Sequence, residues 1–155
     1  MASSTSPESH EPRAAHRAAL RARGVPLAAE SGLLSYLDLL AAWSRRVNLT
    51  GARTPDERVA TLVAPVLPVA PLVPEGRVLD LGSGNGSPGL VLALLRPELA
   101  VTLVEPRMRR VAFLREAARA AGREEVKVFR GRHDEYPGPP ARTVLLRALT
   151  LPLGS

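Results

Sequence analysis

Residues 78–95 read VLDLGSGNGSPGLVLALL: an apolar run, then Gly82, Gly84, Gly86 and Gly89 within eight positions, then a second apolar run. No other stretch constrains the fold so tightly. Val78–Leu81 is apolar enough to be a strand buried on both faces. Pro88–Leu95 reads as the helix that follows, ending before Pro97. The glycines between them form a tight strand-to-helix turn whose bare backbone lets a ligand come close.

The rest of the C-terminal half repeats that alternation. From Arg77 the pattern is β–α–β–α–β–β, with strands at Val101–Val104, Val126–Phe129 and Thr143–Leu146. Pro106 opens a helix that runs to Ala121, and Gly122 closes it. Alternation of this kind predicts an α/β fold, a parallel sheet with helices on its faces.

Upstream the chain divides into three parts. Residues 1–12, rich in Ser, Pro and Glu, read as a disordered tail. Residues 13–64 read as a helical segment. In it, Arg13–Arg23 forms a short helix ended by Gly24, with Arg13, Arg17 and Arg21 on one face, either solvated or contacting phosphate. Ser31–Val47 is a stronger helix: Leu33, Leu37, Leu40, Ser44 and Val47 trace one stripe, with Tyr36 and Trp43 beside it. Thr54-Pro55-Asp56-Glu57 starts another helix, with a Thr cap and proline at its first position. Residues 65–76 read as a Pro-rich connector. Pro65, Pro68, Pro71 and Pro74 would share one face of a polyproline II ribbon. Residues 77–155 are the α/β unit.

Composition removes several classes of function. The 155 residues suffice for one domain with a real core. With no cysteine there is no disulfide framework, thiolate metal site or cysteine nucleophile. His10, His16 and His133 show no metal-ligand spacing, so no metal is expected. The N-terminus has no apolar core of the signal-peptide kind. The longest uncharged run, Val59–Pro74, is shorter than the roughly 20 residues needed to span a bilayer. The reading is a soluble, cytoplasmic protein without a membrane partner. The net charge of +6 invites a polyanion, but sparse aromatics speak against base-stacking platforms.

Two ligand classes use so bare a loop: dinucleotides and S-adenosylmethionine. Gly84, Gly86 and Gly89 satisfy G-x-G-x-x-G, which alone is weak. Asp80, inside the strand and two residues before the first glycine, discriminates. A carboxylate there repels a pyrophosphate, whereas S-adenosylmethionine carries no phosphate and has an ammonium and a sulfonium. Glu105, at the end of the second strand, can accept from a ribose diol or cap the helix at Pro106. A small NAD-binding Rossmann-like domain is the competing reading that Asp80 disfavours.

Trp43, Asn48-Leu49-Thr50, LDLGSGNGSPG, LVEPRMRRVAFL, GRHDE and LLRAL follow one another in this order. In these elements the chain resembles, over about residues 33–150, the bacterial 16S ribosomal RNA guanine-N7 methyltransferases, the glucose-inhibited division protein B (GidB, RsmG) family. The resemblance implies a class I S-adenosylmethionine-dependent methyltransferase (Rossmann-like) fold with strand order 3-2-1-4 in the part read here. It implies the 30S subunit and its 16S rRNA as partner. It places Asp80, Gly82, Gly84, Gly86 and Ser87 about the cofactor, Glu105 on the ribose, and His133 and Asp134 at the adenine end. Arg147 would stand beside the cofactor and the reacting base. Arg107, Arg109, Arg110, Arg115, Arg119 and Arg123 could hold RNA phosphates or form a solvated basic face.

The chain departs from the family pattern in two places. A polar Arg-His…Asp-Ser-Leu element is matched by Thr61–Leu67, with Leu62, Pro65 and Val66 at its polar positions; likewise an aspartate expected before the fourth strand is Arg142. The implied sheet has seven strands in the order 3-2-1-4-5-7-6, of which four are read here. The chain is therefore expected to be a truncated, divergent member. It either methylates guanine N7 or binds cofactor or RNA without turnover. Its fourth strand, followed by RALTLPL, is expected to present an edge for self-association.

Overall fold

The structure, a computed structural model, describes residues 7–147. Most of the apolar segment expected after Leu146, including Leu149, lies outside them, as do residues 1–6 of the expected tail.

Four parallel strands form one sheet in the order β3-β2-β1-β4: β1 Arg77–Leu81, β2 Ala100–Glu105, β3 Lys127–Arg130 and β4 Thr143–Leu146. Val78 pairs with Val101 on one side and Thr143 on the other, so β1 is central. Helix α4, Gly89–Leu95, connects β1 to β2, and α5, Met108–Ala120, connects β2 to β3. These are the elements that the alternation predicts, displaced by a residue or two at their ends, in the sheet order that the family resemblance implies. Gly122, at φ +76°, closes the turn after α5.

Helices α1, Pro7–Ala22, and α2, Leu27–Trp43, precede α3, Pro55–Arg58. Leu20, Leu33, Leu37 and Leu40 from the first two join Leu90, Leu92, Leu103 and Leu114 in a single core. Tyr36 and Trp43 both meet Phe113 of α5, with ring centroids 6.4 and 5.7 Å apart. The helical segment and the sheet are thus one packing unit.

Four expectations need correction. Helix α1 begins at Pro7, inside the segment read as tail, and Pro12 lies within it. Helix α2 spans Leu27–Trp43 and not Ser31–Val47; Ser44–Arg46 continue as turn. The face of Arg13, Arg17 and Arg21 is partly solvated, but its guanidiniums are turned to acids of the next helix. Arg13 pairs with Asp38, and Arg17 and Arg21 pair with Glu30, all acids of α2. The spacing shows the face, but only packing supplies its partner.

The proline run is not a polyproline II ribbon. A π-helical turn at Val59–Val63 passes into successive turns and a 3-10 turn at Ala70–Leu72. The six amides between the prolines, at Val66, Leu67, Val69, Ala70, Leu72 and Val73, each donate to a carbonyl three or four residues earlier. Proline has no N–H to contribute, so a proline every third residue leaves two donors per triplet, which suits tight turns as well as a ribbon. Burial of Val63, Val66, Ala70 and Val73 in the core selects the turns.

Candidate functional site

The glycine loop lies at the carboxyl end of β1, with β2 and β4 on either side, where open α/β sheets take ligands. Its glycines serve different needs. A Cβ on Gly89 would sit 2.3 Å from Asp80 Oδ2, so the start of α4 rests directly on the strand's acid. Gly86, at φ +92°, has Tyr36 3.0 Å from where a Cβ would stand. These two are required by packing. Gly82 and Gly84 line a pocket of about 190 Å3, together with Ser83, Asn85, Ser87, Thr61, Leu62, Arg110 and Arg147.

Four elements pin the loop. Tyr36 of α2 donates its hydroxyl to the Asn85 carbonyl at 2.7 Å. That ring is fully buried, which pushes its phenol far above the usual range and keeps it a donor. Asn85 Nδ2 donates to the Leu49 carbonyl at 3.0 Å, and Asn85 Oδ1 accepts from the Ser87 amide at 3.1 Å. The Ser87 hydroxyl donates to the Leu62 carbonyl at 2.7 Å and accepts from Arg147 Nη1 at 3.0 Å. Arg147 Nη2 donates to the Thr61 carbonyl at 2.9 Å.

The apolar stretch Thr61–Leu67 thus contributes backbone where polar side chains were missed. In a regular helix the Thr61 carbonyl would accept from residue 65, but Pro65 has no N–H. The Leu62 carbonyl would accept from the Val66 amide, which bonds Val63 instead. Both carbonyls are left for Arg147 and Ser87, while Leu62 and Val66 bury their side chains. The Asn48-Leu49-Thr50 element works in the same way: Leu49 offers its carbonyl to Asn85, and Asn48 offers its own to Arg110 Nη2 at 3.1 Å.

The two acids lie beneath this surface. Asp80 is 1% exposed, Oδ2 accepts from the Gly89 amide at 3.1 Å, and Oδ1 has no partner among the described residues. Burial pushes its carboxyl up to about 6, against the opposing hydrogen-bonding of Ser83 and the Gly89 amide, with Glu105 adding a smaller repulsion. Glu105, 3% exposed, is raised by burial against the pull of Arg110, Arg107 and the Gly84 amide. Arg110 is in turn drawn below its usual range by burial and by neighbouring Arg107.

Of the residues singled out in the sequence, the structure brings Gly82, Gly84, Ser87 and Arg147 to one pocket. Asp80 and Gly86 are buried and do not line it. Glu105 is covered at the end of β2. His133 and Asp134 form a 3-10 turn after β3, two strands from β1, and do not line the pocket. Arg123 is no phosphate contact: it is buried and donates to the carbonyls of Ala93 and Pro97. Sequence reasoning missed Tyr36 and Asn85 as loop supports, and the Thr61 and Leu62 carbonyls as acceptors at the site. Asn85 sat inside the quoted motif. Backbone carbonyls leave no residue-type signal.

The pocket's own lining carries two cations, Arg110 and Arg147, and no carboxylate; of the two buried acids nearby, Glu105 is drawn on by Arg110 and Arg107, whereas Asp80 has no cation beside it. Residues 29–151 match the family described as rRNA small subunit methyltransferase G (GidB). The chain is similar to ribosomal RNA small subunit methyltransferase G of Methylobacillus flagellatus, 40% identical over 134 residues, which cover 84% of this chain and 65% of that protein. The protein of the same name from Xanthomonas oryzae pv. oryzae is 38% identical over 122 residues, 79% of this chain and 58% of the relative. That from Shigella dysenteriae serotype 1 is 33% identical over 132 residues, 83% of this chain and 64% of the relative. The chain therefore spans less than two thirds of the length of these relatives.

Proposed function

Because the chain belongs to the rRNA small subunit methyltransferase G family, we propose that it binds S-adenosylmethionine at the glycine loop and transfers its methyl group to guanine N7 of 16S ribosomal RNA. The observation that carries the reading is the glycine loop itself: a bare-backbone pocket at the end of β1, bordered by Ser87 and Arg147, with Asp80 and Glu105 buried at the ends of β1 and β2.

The residues present fit the cofactor. Asp80 Oδ1 is a buried acceptor without a partner among the described residues, and Glu105 is an acceptor at the next strand end. A cationic ligand favours ionisation of both, which burial disfavours in its absence. Gly82 and Gly84 would let the ligand lie against the backbone, Ser87 would border it, and Glu105 would accept from the ribose diol. S-adenosylmethionine supplies an electrophilic methyl group on a sulfonium sulfur.

The chain's own residues would have little acid–base work to do. Guanine N7 carries a lone pair and no proton, so no general base is required. The residues must hold N7 in line with the methyl carbon at roughly 3 Å. Arg147, braced by Ser87 and Thr61, is the proposed positioning group on the substrate side. A rigid loop serves that task because loss of alignment costs rate directly. Asp80 and Glu105 would offset the positive charge that passes from ligand to base.

Titration calorimetry with S-adenosylmethionine and with NAD tests the ligand. Tighter NAD binding would overturn the reading. Transfer of a labelled methyl group to N7 of unmodified 30S subunits tests the reaction, and cofactor binding without any transfer would leave the chain a binder alone.

A further inference from the structure

A second concavity opens between the end of α2 and the outer face of α5. It encloses about 720 Å3, against about 190 Å3 for the glycine-loop pocket. Leu39, Trp43 and Val47 give it an apolar wall; Arg45, Arg46 and Arg109 give it three cations, and Glu116 is its one acid. We propose that this groove docks single-stranded RNA beside the glycine-loop pocket, which rests on the methyltransferase reading above.

Charge complementarity selects the occupant. Arg13, Arg17, Arg21, Arg96, Arg123 and Arg132 each meet a carboxylate. Among the described residues, the guanidiniums of Arg45, Arg46 and Arg109 meet none. Arg45 and Arg46 follow the C-terminal end of α2, where the helix dipole itself favours cations. Arg109 has no such excuse. It lies in the first turn of α5, which holds no acid and has Arg107 and Arg110 beside it. Cations at that end of a helix are unfavourable, so an anion bound in the groove relieves what folding alone leaves uncompensated.

The aromatic ring narrows the choice further. Trp43 is half-buried and set edge-on against Phe113, which fixes its orientation. A duplex offers phosphates and covers its bases, so it has little use for an apolar wall. A single strand offers both, with phosphates to arginine and bases to an aromatic or guanidinium face. The low aromatic content argued against a stacking platform, but one tryptophan in the right place suffices for one base.

Position completes the case. Val47 lines the groove, and its neighbour Asn48 accepts from Arg110, which lines the glycine-loop pocket. Arg109, which lines the groove, and Arg110, which lines the pocket, both stand in the first turn of α5, so the two openings draw on the same helix end.

Trp43 is the chain's only tryptophan, so its fluorescence reports on the groove directly. The full chain would be titrated with an unstructured uridine-rich RNA, with an RNA duplex and with heparin, a polyanion lacking bases. The expected result is quenching of Trp43 by single-stranded RNA, with little from heparin at equal occupancy. R45Q/R46Q/R109Q should weaken RNA binding by about tenfold or more and lower the slope of log affinity against log salt by about 2. Lysine at the three positions should restore most of the affinity, which a merely misfolded variant would not show. Unchanged RNA affinity in the glutamine variant, or saturation with no change in Trp43 emission, overturns the groove. S-adenosylmethionine calorimetry on the same variant separates the two proposals. Intact cofactor binding with lost RNA binding supports the groove, whereas groove binding with no methyl transfer by the parent chain removes only the reaction.

Discussion

Arg147 donates from Nη1 to the hydroxyl of Ser87 at 3.0 Å, across sixty residues of sequence. The bond joins the end of β4 to the glycine loop, and Ser87 passes it on to the Leu62 carbonyl. A strand end, a loop and an irregular helix are thereby fixed to one another around the pocket.

Ser87→Ala should cost about 1–3 kcal/mol, since it leaves the buried Leu62 carbonyl without a donor and Arg147 Nη1 without its acceptor. Urea unfolding of Ser87→Ala, Arg147→Ala and the double variant would measure the coupling. Strictly additive losses would show that the bond does not hold the loop.

Gly89→Ala should destabilise by about 1–3 kcal/mol despite alanine's better helix propensity, because its Cβ meets Asp80 at 2.3 Å. Gly51, which has open space, is the control: its alanine variant should stay within about 0.5 kcal/mol of the parent. Thermal melts of the pair compare the two. Equal melting temperatures would contradict the close approach.

The pH dependence should carry two opposite signatures. Asp80 is raised from 3.8 to about 6, chiefly by burial, so its contribution is present below pH 3.8 and is lost as pH rises through about 6. Asp80→Asn should therefore gain stability relative to the parent above pH 6, by up to about 3 kcal/mol, and little near pH 4. His16 is fully buried, accepts at Nε2 from Arg58 and so donates from Nδ1 to Asp38 as the neutral ring. Burial lowers its pKa below 6.5, so its contribution is present above 6.5 and is lost as pH falls through the lowered value. Chemical unfolding at stepped pH, with His16→Gln flattening the acid limb, checks both signs.

Glu105→Ala should weaken S-adenosylmethionine binding by about 1–3 kcal/mol, the cost of removing a charged acceptor. Calorimetry is the direct measurement. Unchanged affinity would take Glu105 out of the site and leave it a buried partner of the α5 arginines.

On its outer side β4 has no strand partner among the described residues, and Val144 and Leu146 stand 49% and 50% exposed. The chain should associate through this strand at high concentration, and Val144→Lys should return it to monomer by placing charge there. Light scattering on both proteins decides. A soluble monomer of the parent would show that the edge is protected.

The sheet was legible because its signals are local. Apolar runs of strand length, glycine and proline at their ends, and helical spacing between them predict β1 to β4 within a residue or two, while their order in the sheet came from the family resemblance. The family, too, rests on motifs that survive as strings. The proline run misled because period three fits two backbones equally, and only burial of the residues between the prolines chose one. The arginine face of α1 misled because spacing shows which residues lie together, not what they meet.

Sequence alone determined the alternating α/β order, the glycine turn after β1 and the acids at the ends of β1 and β2. Each of these is written in residue types a few positions apart. Tertiary structure decided which glycines face a ligand and which face Asp80 and Tyr36, and how apolar Thr61–Leu67 could serve a polar site. It also decided that Trp43, two arginines of the turn after α2 and one of α5 share a groove. The physical reason is common to all three: carbonyl groups are the same in every residue, and a side chain's partner is set by distances that close only when the core packs.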